Sequence, residues 1–306
     1  MATTKTNGMV RIERVADVHA ETGEGALWHP TERRLYWLDI PRGRLYRYDP
    51  ETDTNEVAHE TADGSAVGGF TVETDGALLL FGAGGRIQRW DPATGEVSTV
   101  LEGIAAESES RFNDVIAAPD GSVFCGTMPS EDRLGSLYRL GTDGSIQTVV
   151  DDVDIANGMG FSPDERTFYF TESNARRIYA FDYDTASGEL SSRRTAVETP
   201  VDEGVPDGMT VDEAGALWSA RWGGGVAVRY DPSGEVLDSV DFPARKVSCV
   251  TFGGPEYDDL YVTTALGDGR RATEGDGAGA LFRVPGVTPG GTPPSLSAVA
   301  SRDEAR

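Results

Sequence analysis

Four polar side chains stand at one offset from four turns. Glu24 precedes Pro30 by six residues, Asn113 precedes Pro119 by six, and Asn157 precedes Pro163 by six. Asp207 precedes Glu213, which takes the proline's place, by the same six. Each opens a stretch of strand character that runs into a tight turn. Alone, such a side chain would only cap a strand end. Four at an equivalent position converge if the strands they open are neighbours around an axis. Two carboxylates and two amide oxygens in one space repel unless something positive lies between them. A hard divalent cation with oxygen ligands meets that need.

The elements that must position these groups recur along the chain. Six times an apolar alternation meets a turn of Pro/Asp/Gly/Glu type, then β-type residues, then "RLYRYDP" or a relative of it. "PDG", "TDG", "TGE" and "SGE" separate the strands. The aspartates that close the third strands, Asp49, Asp91, Asp182 and Asp231, mark a period of about 40 to 50 residues. Four short strands at that period predict an all-β chain, a six-bladed β-propeller with four-stranded blades. The innermost strand of each blade lines the central channel. The equivalent position is Gly68 in the second unit and Ser248 or Cys249 in the sixth. The sixth unit lacks a fourth strand, and "VRIERVADVHA" near the N-terminus has strand character without a repeat of its own. The N-terminal strand is therefore expected to close the ring and remove an exposed edge. One domain over 1–306 is expected, with its core at about 10–287 and a flexible, Pro/Gly/Ser-rich tail at 288–306. "LGDGRRATEGDGAGA", residues 266–280, reads as a flexible charged loop.

Bulk properties narrow the function classes. The formal net charge is −24, and the two lysines are Lys5 and Lys246. Acid excess with few lysines suits a protein that stays soluble in concentrated salt, where repulsion is screened. It repels nucleic acid. No apolar run reaches the ~20 residues of a membrane helix, and the first residues lack the apolar core of a signal peptide. No membrane partner and a cytoplasmic location are expected. Cys125 and Cys249 give neither a CxxC site nor a disulfide framework. His19, His29 and His59 all fall in the first fifth of the chain, which disfavours a three-histidine metal site or a Ser-His-Asp triad. "GAGGRI" has no following helix to cradle a phosphate, and neither GxSxG nor HExxH occurs.

The motifs "GEGALWHPTERRLYWLDI", "RFNDVIAAPDGSVFCGTM", "NGMGFSPDERTFYFTES", "PDGMTVDEAGALWSARWGGG" and "FGGPEYDDLYVTTA" resemble, in order, those of the gluconolactonase/regucalcin (senescence marker protein) family of six-bladed propellers. The resemblance spans about residues 10 to 286. It implies hydrolysis of sugar lactones, such as glucono- or pentonolactones, to aldonic acids, with a small sugar lactone as the partner. It carries the family's metal ligands onto Glu24, Asn157 and Asp207, for one divalent ion: Ca²⁺, Zn²⁺, Mn²⁺, Mg²⁺ or Fe²⁺. It carries the substrate contacts onto Arg111 and Asn113, and more loosely onto Glu131 in the loop after "GTM". Asp207 is the candidate base, with activation of the water by the metal as the competing account. In "GEGALW" an alanine replaces the common proline, away from the ligand. Asp114 and Glu172 adjoin the motifs as possible supporting groups. An esterase or phosphotriesterase on the same scaffold, and a non-catalytic calcium-binding propeller, are the alternatives.

Overall fold

The computed structural model describes residues 11–300. Strand β1 (Glu13–Asp17) comes first. Then follow β2–β5 (Gly23–His29, Arg34–Asp39, Arg44–Asp49, Thr54–Glu60) and β6–β9 (Val67–Val72, Leu78–Gly82, Ile87–Trp90, Val97–Leu101). Next are β10–β13 (Phe112–Ala117, Val123–Thr127, Gly135–Leu140, Ile146–Val153) and β14–β17 (Ala156–Phe161, Thr167–Glu172, Arg177–Tyr183, Leu190–Glu198). The last are β18–β21 (Val205–Val211, Leu217–Trp222, Val226–Tyr230, Val236–Asp241) and β22–β24 (Lys246–Gly253, Asp259–Ala265, Ala280–Val284). Helix is confined to single short turns, and no described helix is long and apolar enough to cross a membrane.

The chain is an all-β propeller. Four sheets are separate antiparallel meanders of four strands, β2–β5, β6–β9, β10–β13 and β14–β17. The remaining strands form one eight-stranded sheet rather than two separate ones. Its halves, β18–β21 and β22-β23-β24-β1, meet through a single bridge between Trp222 and Lys246. The first strands are neighbours in cyclic order, β2 to β6, β10, β14, β18, β22 and back to β2.

Burial explains why the strands read so differently along each unit. The inner two strands are covered on both faces, as in Val123–Thr127, where every residue is buried. The outermost, such as Val236–Asp241, is largely exposed. The apolar side chains gather into clusters between adjacent sheets. Phe124, Phe168 and Phe181 fill one such interface, and Trp28, Trp37 and Tyr261 another. Tight turns between first and second strands are held by aspartates that accept the backbone N–H two residues on, for example Asp120 from Ser122 at 3.0 Å and Asp212 from Ala214 at 3.0 Å. In the fourth unit the turn after the third strand is capped by Asp184, not by Asp182 of the repeat pattern. Asp184 accepts from Ala186 at 2.8 Å, while Asp182 binds Arg194 at 2.7 Å.

Strand β1 pairs antiparallel with β24, Glu13 opposite Arg283 and Asp17 opposite Ala280, so the N-terminus supplies an outer strand to the last unit. The 266–280 segment secures it. Arg271 forms an ion pair with Asp17, and Arg14 reaches Asp276 at 3.0 Å. That segment is thus docked rather than free. The 288–306 tail also differs from its sequence reading, as far as residue 300. Gly291 donates to the Tyr257 carbonyl (2.8 Å), Ser297 to that of Val72 (2.9 Å) and Ala298 to that of Gly121 (2.9 Å). Small residues and prolines let this segment cross the end of the channel at low steric cost. Residues 301–306 lie outside the described part.

Candidate functional site

Each first strand has a register shift at its start. The shifts fall between Glu24 and Leu27, Val67 and Gly69, Phe112 and Val115, Asn157 and Met159, Pro206 and Met209, and Val247 and Cys249. Such bulges re-aim side chains beside active sites. Here they fall on the residues singled out by the shared offset. The strands pack against each other backbone to backbone at this level. A Cβ on Gly68 would lie 1.8 Å from the Phe112 carbonyl oxygen, so the second unit can place no side chain there. In the sixth unit, Ser248 turns sideways to donate to the Gly23 carbonyl (2.5 Å), while Cys249 lines the channel.

Glu24, Asn113, Asp114, Asn157 and Asp207 are all buried. Arg111, Asn113, Asn157 and Ser173 form one connected set of hydrogen bonds. Arg111 Nη1 donates to Asn113 Oδ1 (2.8 Å) and to the Phe112 carbonyl (2.8 Å). Asn113 Nδ2 donates to the Ala156 carbonyl (2.8 Å) and to Asn157 Oδ1 (3.2 Å). Asn157 Nδ2 donates to Ser173 Oγ (2.9 Å), which donates to the Pro206 carbonyl (2.7 Å). Glu24 Oε2 accepts the Gly25 N–H at 2.9 Å.

Three buried carboxyls lie within one another's field. Burial raises Glu24 well above the usual range, and Asp207 and Asp114 add to the effect. Burial likewise raises Asp207, with Asp114 adding; hydrogen bonds from Asn157 and Gly208 oppose. Burial pushes Asp114 up to about 7 against the attraction of Arg111. Desolvation in turn lowers the Arg111 guanidinium, which all three carboxyls act to hold charged. Burial raises the Cys249 thiol too, and the same carboxyls reinforce that. Ionising the three carboxyls together is therefore costly even with Arg111 among them and Arg221 acting on Asp207. Among the described residues no three His, Cys, Asp or Glu side chains are placed to hold an ion by themselves. The candidate set is two carboxylates and an amide oxygen, hard donors suited to a divalent cation.

Beyond these residues the channel holds a cavity of about 180 Å³. Asp114, Met159, Met209 and Cys249 line it, and Thr292 to Ser295 of the C-terminal segment border it. From sequence Asp114 was only a supporting group and Cys249 one of two alternatives with Ser248, since only the strand register shows which side chain of each pair turns inward.

The remaining candidates sit apart. Glu131 lies on an exposed loop and is not brought to the buried cluster. Its loop is held by Arg133, which binds Glu107 at 2.7 Å. Glu172 accepts the Asp154 N–H (3.1 Å) and binds Arg193 (3.3 Å), so it supports the turn before Asn157. Cys125 is buried within β11.

A family model described as "SMP-30/Gluconolactonase/LRE-like region" matches residues 22–266. Pentonolactonase XacC of Haloferax volcanii is 50% identical over 279 residues, covering 89% of this chain and 94% of its own. Regucalcin of Bos taurus is 32% identical over 295 residues, covering 93% and 97%. A solved gluconolactonase from Xanthomonas campestris superposes with a TM-score of 0.74 at 27% identity, over 91% of this chain and 90% of that one.

Proposed function

The chain belongs to the SMP-30/gluconolactonase/LRE-like family, and from that premise we propose that it hydrolyses sugar lactones to aldonic acids, with a pentonolactone as substrate. The observation that carries the site reading is the convergence of Glu24, Asn157, Asp207 and Arg111 on one buried, acid-rich end of the channel. We read the eight-stranded sheet as two blades joined at one bridge, which makes the propeller six-bladed and a single domain.

The ligand role carried to Glu24, Asn157 and Asp207 suits their oxygen donors. A divalent cation there would supply Lewis-acid polarisation of the lactone carbonyl. The chain's own residues do the rest. Asp207 takes a proton from the attacking water as its oxygen bonds to the carbonyl carbon. When the ring C–O bond breaks, that proton passes to the departing alkoxide, leaving a hydroxy acid. Arg111 spends Nη1 on the protein and directs its remaining N–H groups at the carbonyl oxygen as negative charge builds there. Both Nδ2 hydrogens of Asn113 are engaged within the protein, so its role is to orient Arg111. Glu131, exposed on its loop, is at most a contact made on closing over substrate.

Proton release from a panel of pentono- and hexonolactones, with and without chelator, tests this reading. Expected are rates well above spontaneous opening, highest for a pentonolactone, lost in chelator and restored by one divalent ion. Absence of acceleration for every lactone, with cation binding intact, would leave a binding protein instead.

A further inference from the structure

Two asparagine amides in the cluster could each be turned either way on their own. The network removes that freedom. A guanidinium has no acceptor, so Asn113 must present Oδ1 to Arg111 (2.8 Å) and therefore Nδ2 to Asn157 (3.2 Å). At the other end, a peptide carbonyl has no donor. The Pro206 carbonyl must accept from Ser173 Oγ (2.7 Å), so that hydroxyl has a lone pair left for Asn157 Nδ2 (2.9 Å). Donation runs one way from Arg111 through Asn113, Asn157 and Ser173 to the residue before Asp207. It crosses three neighbouring sheets.

We propose that Ser173 is a positioning residue, locking the Asn157 amide so that Oδ1 faces the channel and tying it to the backbone that carries Asp207. Ser173 is fixed for this task. It is buried, and its N–H bonds the Ile155 carbonyl at 3.1 Å, one strand register beyond the Ala156–Glu172 pair. Without the hydroxyl, Asn157 Nδ2 keeps only Asp207 as an acceptor and the Pro206 carbonyl loses a donor. The amide is then held from the Asn113 side at Oδ1 but no longer tied to the Pro206 backbone, and it can swing.

The inference rests on the reading of Asn157 and Asp207 as cation ligands, and the test separates the two. Chelator-treated wild type, Ser173→Ala, Ser173→Thr, Asn157→Ala and Asp207→Ala are titrated calorimetrically with Ca²⁺, Mn²⁺ and Zn²⁺, and melted in chelator. Expected is a loss of affinity of about tenfold or more in Ser173→Ala for the ion that wild type binds. Ser173→Thr, which keeps the hydroxyl, should stay within a few-fold of wild type, with both melting temperatures in chelator close to it. Wild-type affinity in Ser173→Ala, alongside lost binding in Asn157→Ala and Asp207→Ala, overturns the positioning role and leaves the ligand reading standing. Undiminished binding in Asn157→Ala and Asp207→Ala overturns both. If Ser173→Ala does not fold, Ser173→Cys, a much weaker donor, takes its place with the same expected loss.

Discussion

At the scale of the residue, the site is defined by charge that burial leaves uncompensated. Asp207 is desolvated and lies in the field of Asp114, so its ionised form is costly unless something positive joins it. This separates function from stability at one atom. Asp207→Asn keeps the shape and removes the proton acceptor proposed above. Lactone turnover should fall by roughly 10²–10⁴-fold, the range for losing a general base. Melting in chelator should be unchanged or higher, because a desolvated carboxyl in the field of Asp114 has gone. Steady-state kinetics and thermal melts on one preparation check both. That Glu24, Asn113, Asn157 and Asp207 come together was legible in the sequence because a turn six residues on marks each of them. Ser173 was not, and Asp114 was legible only as a neighbour of the motif, not as a side chain lining the channel. Nothing in "FND" tells a side chain that meets the channel from one that packs in a sheet, since that choice is made by a bulge, and nothing in "FTES" tells that the serine faces the next sheet.

At the scale of the element, the structure turns on how the ring is closed. Strand β1 joins β24, and Asp17 at its end is held by Arg271 of the 266–280 segment. The hydrogen bond from Arg271 leads the effects that shift Asp17, and the net result is a carboxyl held below its usual range. A depressed folded value stabilises the native state above the unfolded value and is lost as pH falls through the folded one. The closure should therefore weaken below about pH 4, where a free Asp begins to protonate. Asp17→Asn should melt lower than wild type at pH 5, and the gap should narrow as pH falls below the unfolded value toward the lowered folded one. Melts across that range check it, and a gap independent of pH would remove the ion pair from the closure. Asp17 is partly exposed, so added salt should shrink the gap. The closing strand was legible because an orphan strand in a repeat protein has one vacant place. The docked 266–280 and 288–300 segments were not, since small, polar and proline-rich stretches read alike whether free or packed.

At the scale of the whole molecule, a net charge of −24 on 306 residues opposes compactness in dilute buffer. Screening at molar salt removes most of that repulsion between exposed charges. The melting temperature should rise by about 10 °C or more between 0.1 M and 2 M KCl, scaled by the unfolding entropy of a chain this size. Differential scanning calorimetry checks it, and a flat or falling curve would separate the acidic surface from salt adaptation.

The sequence by itself determined the repeat, the all-β architecture, the closing strand and the acid-amide set at one offset. Each of these is written in local periodicity or in turn chemistry that acts over a few residues. The tertiary structure alone decided which inner-strand side chains share a space, where the amides point and what lies across the channel. Those depend on strand register and on contacts between residues tens to hundreds apart, such as Asn157 with Ser173 and Val72 with Ser297. Position along the chain carries no record of them.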